Sequence, residues 1–336
     1  MSVAEDSRSE EPAEQPGAFG PFTGANAWTG STLSADAGVV TLAADCLAEI
    51  DQALGVLKAN PLPVLRLSPD DVEMPACAAT MASVRWELDQ GLGFTIIDRL
   101  PLDRMSTEEA TVIYWLLARM TGRPVAQKWV DGRMLYSVTD LGKPSGNGVR
   151  PDVTNEDQSF HTDNSYNLCP PDHVGLLCLH PAMEGGISRV VSMTAVHNRM
   201  AAEHLDLIGR LYEPYFFDRQ REHADSDATT IHRPVLAHED GGLRVRVSRN
   251  LIFQGYKLVG KAADRRSEAA IDAWFSIVDD PAMYREFFFE PGQIQFVNNR
   301  ILGHKRTRFT DWPDAQRKRH LMRVWLREKG RNFYNG

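Results

Sequence analysis

The sequence predicts a mainly β protein with flanking helices, built as a sandwich or barrel of the jelly-roll kind. The second half of the chain is a series of short apolar runs, rich in β-branched and aromatic residues and separated by turn residues. Helical patterns interrupt these runs without the regular strand–helix alternation of a parallel sheet. The runs are VGLLCLH (174–180), SRVVSM (188–193), LRVRVS (243–248), FFFEPG (287–292), IQFVN (294–298) and LMRVWLR (321–327).

Helical patterns precede and interrupt the strands. Apolar residues recur at helical spacing over residues 77–88, just before the strand-like run FTII (94–97). Ser106 and Glu109 form a capping-box pattern at the start of a second apolar helix, which a glycine and a proline end. Two further helical patterns cover residues 194–208 and 267–278.

The composition is that of a globular protein with a sizeable core. The 336 residues are 43% hydrophobic and 24% charged, with a formal net charge of −8. Such an acidic chain does not attract a phosphate backbone or an anionic membrane surface. We therefore predict a small-molecule substrate and neither nucleic acid nor a membrane as a partner. The oligomeric state is not indicated by any pattern.

The start of the chain is acidic and Pro-rich, without the apolar stretch of a secretion signal. We predict a flexible tail over residues 1–30 and one domain over residues 31–336. The cysteines are Cys46, Cys77, Cys169 and Cys178. They contain no C-x-x-C pair, which argues against a zinc ribbon or a disulfide framework and favours a cytoplasmic location.

A long loop is predicted directly before the most polar motif of the chain. Residues 141–156, LGKPSGNGVRPDVTNE, are rich in Gly, Pro, Asn and Ser and run into FHTDNSY (160–166). Long loops beside candidate chemistry are often lids. We predict that residues 141–156 form a lid.

The chain contains three His-x-Asp pairs: His161/Asp163, His223/Asp225 and His238/Asp240. In an extended segment the two side chains of each pair point the same way and are able to share a metal. The polar run around His223 and the Asp-Gly-Gly turn after His238 are typical of solvated segments. We therefore select the first pair, which leads from the predicted lid into the strands.

Two arginines lie on the last strand-like run. Arg319 and Arg323 share one face with Trp325 if the segment is extended. Inward-facing guanidinium groups need anionic partners, and their planar fork suits a carboxylate. A solvated basic face is the alternative interpretation of this run.

Four segments together resemble a known family: FHTDNSY (160–166), GGIS (185–188), NNRILGHKRTRF (298–309) and RKRHLMRVWL (317–326). In this order they resemble the iron(II)- and 2-oxoglutarate-dependent oxygenases, in particular the taurine dioxygenase-like (TauD/TfdA) branch close to clavaminate synthase. The resemblance extends from about Gly93 to Trp325. It implies a double-stranded β-helix, the jelly-roll or cupin-like fold.

The resemblance also implies a metal site and its cosubstrates. His161, Asp163 and His304 correspond to the facial triad of the family, the catalytic ligand set for iron(II). This triad leaves coordination positions for 2-oxoglutarate and dioxygen. Because related halogenases have a small residue in place of the carboxylate, Asp163 favours hydroxylation, desaturation or cyclisation over halogenation.

Further roles are carried over from the family position by position. Arg319, helped by the hydroxyl of Ser188, corresponds to the group that binds the distal carboxylate of 2-oxoglutarate. Arg323 corresponds to a residue that contacts either the cosubstrate or an acidic group of the substrate. Asn164 and Tyr166 follow the ligand pair and are candidates for the substrate pocket.

The predicted function is therefore an iron(II)- and 2-oxoglutarate-dependent dioxygenase. Its substrate is expected to be small and polar, either amino-acid-like or a natural-product intermediate of secondary metabolism. Two alternatives stay open: a zinc-dependent hydrolase with the same three ligands, and a metal-binding sensor without turnover. The hydrolase leaves Arg319 without a role.

Overall fold

The structure, a computed structural model, describes residues 19–143, 151–239 and 241–336. The helices within these ranges are α1 (Ala44–Ala59), α2 (Pro75–Gln90), α3 (Thr107–Thr121), α4 (Met193–Glu203), α5 (Leu205–Leu211), α6 (Arg249–Leu258) and α7 (Arg265–Val278). The strands are β1 (Val39–Thr41), β2 (Phe94–Asp98), β3 (Arg123–Val125), β4 (Leu135–Val138), β5 (His173–His180), β6 (Glu184–Gly185), β7 (Ser188–Ser192), β8 (Pro214–Asp218), β9 (Thr230–Pro234), β10 (Leu236–Glu239), β11 (Gly242–Val245), β12 (Tyr284–Phe287), β13 (Ile294–Asn298), β14 (Leu302–Arg306), β15 (Phe309–Thr310) and β16 (His320–Arg327).

Two sheets form the jelly roll that the strand pattern predicts. The larger sheet has seven strands, in the order β1-β2-β13-β5-β16-β3 with β4 also paired to β16. The smaller sheet has the order β12-β7-β14. All these pairs are antiparallel except β1 with β2. Most neighbours in the sheets are distant in sequence, as jelly-roll connections require.

The alternation of side chains along the larger sheet separates two hydrophobic layers. Trp325 belongs to the same cluster as Val190 and Leu302 of the smaller sheet. Its neighbours Val324 and Leu326 belong to the cluster built with α1, α2 and α3. Because both faces of this sheet are buried, its strands have continuous apolar sequences rather than alternating ones.

The helix predictions are largely confirmed. Helix α3 begins at the predicted capping box, in which Glu109 N donates to Ser106 Oγ at 3.2 Å and Ser106 N donates to Glu109 Oε2 at 2.8 Å. The pattern over 194–208 forms two helices, α4 and α5, which meet at His204. No helix in the described ranges combines the length and the apolar character needed to cross a bilayer.

Two strand predictions need correction. The run FFFEPG (287–292) contributes only Phe287 to a strand, because β12 lies upstream where it pairs with β7. The run over 243–248 ends as a strand at Val245. Beyond that point Val247 bonds instead with Thr162, which lies inside the first His-x-Asp pair.

The predicted flexible tail over residues 1–30 is too long. Residues 1–18 lie outside the described ranges, but the following residues pack on the domain. Phe22 exchanges two hydrogen bonds of 2.8 Å with the side-chain amide of Asn198. Trp28 is buried, with its indole N–H bonded to a backbone carbonyl. Burial of aromatic surface offsets the entropy lost on ordering this segment.

A disulfide joins the first two helices. Cys46 of α1 and Cys77 of α2 are bonded to each other, 31 positions apart in sequence, and both are buried. Cysteine spacing did not predict this pair, because the packing of the two helices creates it. One bond is not a framework, but it removes the cysteine argument for a reducing compartment. Cys169 and Cys178 are free thiols.

Candidate active site

The first His-x-Asp pair is held between two extended segments. His161 and His304 exchange backbone hydrogen bonds of 3.1 and 3.0 Å, which fasten the pair to β14. On the other side Thr162 N donates to Val247 O at 2.9 Å. The backbone is therefore extended here, and side chains two positions apart point to the same side.

Three side chains of metal-ligand type converge at this point. Asp163 Oδ1 lies 3.4 Å from Nε2 of His161 and 3.5 Å from Nε2 of His304. The three ligand atoms all lie within 4.8 Å of one another, and the described residues contain no second such group. Neighbouring ligands about 2.1 Å from a metal are about 3 Å apart, so the set needs only small shifts to close on one ion.

A hydrogen bond leaves Nε2 of His161 available to a metal, and burial favours the neutral form of His304. Nδ1 of His161 lies 2.9 Å from the carbonyl oxygen of Ser159, which favours a proton on Nδ1. Burial, followed by the charge of His161, lowers the pKa of His304. Burial alone would raise the pKa of Asp163, but Arg323 and the two imidazoles outweigh it and hold that pKa well below its usual range.

Arg323 contacts three protein groups. Its Nε donates to Gln127 Oε1 at 2.8 Å, and its Nη1 lies 3.2 Å from Asp163 Oδ2. Its Nη2 lies 3.5 Å from Asp152 Oδ2, within the predicted lid. The structure thus places Arg323 beside the metal-ligand group, and its contact with a substrate or cosubstrate acid stays a prediction.

Arg319 is a buried cation with donor capacity to spare. Its Nη1 has no hydrogen-bond acceptor among the described residues. The guanidinium lies 5.1 Å from the ring centroid of Phe309, and a Cβ added at Gly186 would come within 3.4 Å of its Nε. Burial, followed by the charge of Arg306, lowers the pKa of Arg319 to about 9. Such a guanidinium favours an anionic partner.

Arg306 is a second buried cation, which the sequence analysis missed. Its guanidinium lies 4.6 Å from the ring centroid of Phe309, and burial lowers its pKa to about 10. It donates to the backbone carbonyls of Thr154 and Glu156. Ser188 lies opposite Arg306 in the β7–β14 register. Arg306 is two positions after His304 on β14, so strand alternation could have predicted that both side chains point to the same side.

The predicted substrate residues Asn164 and Tyr166 are buried and tied to the C-terminal segment. Tyr334 Oη lies 2.9 Å from Asn164 Oδ1 and 3.0 Å from Tyr166 Oη. Asn164 has a φ of 57°, the left-handed conformation that Asn tolerates better than most residues. The contribution of the C-terminus was not predicted, because nothing in its sequence marks it as part of a site.

The predicted lid over residues 141–156 is only partly described, since residues 144–150 lie outside the described ranges. Its two described ends meet where Leu141 N donates to Val153 O at 3.0 Å. Its later part is held by buried arginines of the site. Closure of this segment over a substrate stays a prediction.

The other two His-x-Asp pairs stand apart from the metal-ligand group. His223 lies in the loop between β8 and β9, where Asp225 is exposed. His238 lies in the hairpin of β10 and β11, as predicted, and stacks on Tyr212 with ring centroids 5.3 Å apart. Asp240 lies outside the described ranges.

Sequence comparison matches residues 63–325 to the family described as "Taurine catabolism dioxygenase TauD, TfdA family". The chain belongs to this family. TauD/TfdA enzymes are iron(II)- and 2-oxoglutarate-dependent dioxygenases, so the predicted family, enzyme class and cofactors are confirmed, dioxygen included. The match starts about 30 residues before the resemblance recognised from the motifs and ends at the same tryptophan.

Two curated relatives extend the comparison within the TauD/TfdA family. FR-33289 synthase of Streptomyces rubellomurinus (strain ATCC 31215) is 27% identical over 321 residues, covering 93% of this chain and 92% of the relative. Uridine-5'-phosphate dioxygenase of Streptomyces sp is 25% identical over 247 residues, covering 70% of this chain and 86% of the relative.

Solved structures share the jelly roll, which confirms the predicted fold class. Asparagine oxygenase, in complex with Fe(II), 2S,3S-3-hydroxyasparagine and succinate, superposes with a TM-score of 0.65 at 20% identity, covering 86% of this chain and 93% of that chain. The non-heme iron oxygenase OrfP, in complex with Fe and alpha-ketoglutaric acid, has a TM-score of 0.64 at 16% identity and covers 87% of this chain and 94% of that chain.

Proposed function

We propose that this TauD/TfdA dioxygenase binds iron(II) through His161, Asp163 and His304. The observation that carries the proposal is the convergence of Nε2, Oδ1 and Nε2 at one point, with separations of 3.4 and 3.5 Å. Two neutral imidazoles and one carboxylate suit non-haem iron(II) and leave half of an octahedral coordination sphere open. A structural zinc site, by contrast, usually has four protein ligands.

Arg319 is proposed to bind the distal carboxylate of 2-oxoglutarate. The free Nη1 supports this role, as do the burial of the side chain and the second cation at Arg306. Ser188, opposite Arg306 in the sheet register, is proposed to donate to the same carboxylate. A carboxylate placed here would meet two desolvated positive groups, so the subsite selects a dianionic cosubstrate over a monoanionic one.

Bound iron(II), with 2-oxoglutarate and dioxygen, supplies the oxidant for a substrate C–H bond while the cosubstrate is decarboxylated to succinate. The residues of this chain hold the partners of that reaction in place. The imidazoles of His161 and His304 would each offer Nε2 to the metal, and Asp163 would add one negative charge. Arg319 would hold the distal carboxylate of the cosubstrate. Phe160, Val190 and Trp325 of the main hydrophobic cluster are next to or two positions from residues of the proposed site in sequence.

The substrate is proposed to be a small polar molecule of the amino-acid or natural-product class. Asparagine oxygenase and uridine-5'-phosphate dioxygenase, by their names, act on such molecules. Arg323 lies beside Asp163 and also pairs with Asp152, and these charged side chains of both signs suit a substrate with polar groups. A cytoplasmic location, and the exclusion of nucleic acid and membrane as partners, stay predictions.

The proposal is tested by adding iron(II) and 2-oxoglutarate to the protein without oxygen. We expect a weak visible charge-transfer band, which requires iron and the 2-oxo acid in one complex. His161→Ala, Asp163→Ala and His304→Ala should each abolish this band while leaving the far-ultraviolet circular dichroism unchanged. His238→Ala, in the exposed hairpin, is the matched control and should retain the band.

Three outcomes would overturn parts of the proposal. Zinc-dependent hydrolysis without the band would favour the hydrolase. A band without substrate-stimulated succinate formation, across a panel of amino acids and nucleotides, would favour the sensor. Retention of the band in any of the three site variants would show that the metal ligands are elsewhere.

A further inference from the structure

We propose that Trp325 positions the carboxylate of Asp163 so that only one of its oxygens is available to the metal. The proposal rests on the proposed function, since it concerns the same iron site. No other residue of the site combines full burial, an aromatic ring and a single donor aimed at a metal ligand in the part of the chain that the structure describes.

The two oxygens of Asp163 face different partners. Oδ1 lies toward the two imidazoles, 3.4 and 3.5 Å from their Nε2 atoms. Oδ2 accepts a hydrogen bond of 2.7 Å from Trp325 Nε1 and lies 3.2 Å from Arg323 Nη1. One hydrogen bond and one ion pair engage Oδ2, so Oδ1 is the oxygen directed to the metal-ligand group.

The tryptophan is rigidly placed. It is buried at 2% exposure in the main hydrophobic cluster, and β16 pairs with both β5 and β3 at this residue. An indole offers one donor and no acceptor, so its hydrogen bond has a fixed direction. The bond therefore restricts rotation of the carboxylate by holding Oδ2.

Arg323 forms an ion pair with the same oxygen, and its own guanidinium is held by Gln127. Its Nε donates to Gln127 Oε1, while Gln127 Nε2 donates to the carbonyls of Met134 and Arg323 at 2.7 and 2.9 Å. Arg323 also pairs with Asp152, so its guanidinium is able to shift between two carboxylates. Within the described ranges, the indole N–H of Trp325 bonds to Asp163 alone. We infer that the indole supplies orientation and the guanidinium supplies charge.

One-point binding by Asp163 keeps a coordination position open. A carboxylate free to rotate is able to bind a metal with both oxygens, which would occupy a position that the cosubstrate or dioxygen needs. Groups that hydrogen-bond a metal ligand from behind typically affect metal affinity by about 10- to 100-fold. Trp325 is thus expected to affect both affinity and coordination number.

The test compares the metal affinities of Trp325→Phe and Trp115→Phe. Both are measured in the absence of 2-oxoglutarate and oxygen. Trp115 is a matched control because it is also buried and donates its Nε1–H, to the carbonyl of Leu67, but in the helical layer. Free Mn(II) is measured by electron paramagnetic resonance, and the ligand-field absorption of bound Co(II) reports coordination number. We expect an Mn(II) affinity about 10- to 100-fold weaker and an altered Co(II) spectrum in Trp325→Phe alone.

The outcomes separate this inference from the proposed function. Equal Mn(II) affinity and equal Co(II) spectra in both variants would overturn the positioning role and leave the metal site intact. Failure of the wild-type protein to bind either metal would overturn the proposed function and the inference with it. Should Trp325→Phe not fold, benzothienylalanine at position 325 makes the same comparison, since it keeps the ring shape and replaces the N–H by sulfur.

Discussion

Arg319 and Arg306 together form the proposed cosubstrate subsite. Both guanidinium groups lie near the ring of Phe309, at 5.1 and 4.6 Å from its centroid. The Nη atoms of Arg306 donate to backbone carbonyls of the loop before the proposed metal ligands. Nη1 of Arg319, by contrast, has no hydrogen-bond acceptor among the described residues. The available donor therefore belongs to Arg319, and Arg306 adds charge.

Replacing Arg319 should weaken 2-oxoglutarate binding more than it lowers the maximal rate. Lysine keeps the charge but loses the fork, and alanine leaves a desolvated carboxylate unpaired, a loss on the order of 3 to 5 kcal/mol. Isothermal titration of the anaerobic metal-loaded protein measures the change. Arg189→Ala is the control, since Arg189 is next to Ser188 in sequence but is partly exposed and paired with Glu286.

A 2-oxo acid without the distal carboxylate removes the other partner of the proposed pair with Arg319. It should bind wild type and Arg319→Ala with equal affinity, because the group that the arginine recognises is absent. Normal 2-oxoglutarate binding in Arg319→Ala would contradict the proposed role of Arg319.

The sequence predicted these residues unevenly, for physical reasons. The period of two placed Arg319, Arg323 and Trp325 on one face, and the structure has the latter two beside Asp163. The role of Trp325 was missed because its partner is 162 positions away, a distance that no local pattern spans. The grouping of His304 with the first pair came from the family resemblance, since a strand pairing 143 positions apart is invisible to periodicity.

At the scale of elements, the N-terminal segment over residues 19–28 behaves as an added edge of the domain. The side chain of Asn198, on α4, takes the place of a neighbouring strand by donating to and accepting from the backbone of Phe22. Composition predicted a longer tail because the acidic, Pro-rich residues before this point outweigh its few aromatic residues. Burial depends on where those aromatic side chains land, which composition does not contain.

Asn198→Ala should release this segment without unfolding the domain. Two hydrogen bonds are lost, each with a net contribution of about 1 kcal/mol, while the helix gains a better helix former. Hydrogen exchange followed by mass spectrometry should show faster exchange in residues 19–28 and unchanged exchange in β5 and β16. Glu203→Ala, on the exposed side of the same helix, is the control; slow exchange over residues 19–28 in Asn198→Ala would contradict the anchoring role.

At the scale of the whole molecule, acid stability should depend on the buried His197 of α4, which is not one of the proposed metal ligands. Burial lowers the pKa of His197 from its ordinary value of 6.5 to about 4. Since the unfolded chain binds this proton first, the folded state loses stability as pH falls from about 6.5 toward 4. Phe22 and Tyr212 pack on the same imidazole and would be disturbed by its charge.

His197→Gln should flatten the acid side of the stability profile. Urea unfolding at several pH values between 4 and 7 measures the free energy of unfolding, and the slope should be smaller than in wild type. His204→Gln, at the junction of α4 and α5, is the control and should retain the wild-type slope. Equal slopes in wild type and His197→Gln would contradict the assignment.

The two buried guanidinium groups beside Phe309 should make the thermal stability of the protein depend on its proposed cosubstrate. Burial lowers the pKa of both guanidinium groups, and the charge of Arg306 further lowers that of Arg319, so a bound dicarboxylate would stabilise their charged forms. A ligand that binds only the folded state stabilises it by RT ln(1 + L/Kd), where L is the free ligand concentration, so the melting temperature rises with the logarithm of that concentration once it exceeds Kd. When the concentration of 2-oxoglutarate falls, the folded state would lose this stabilisation and the melting temperature would fall.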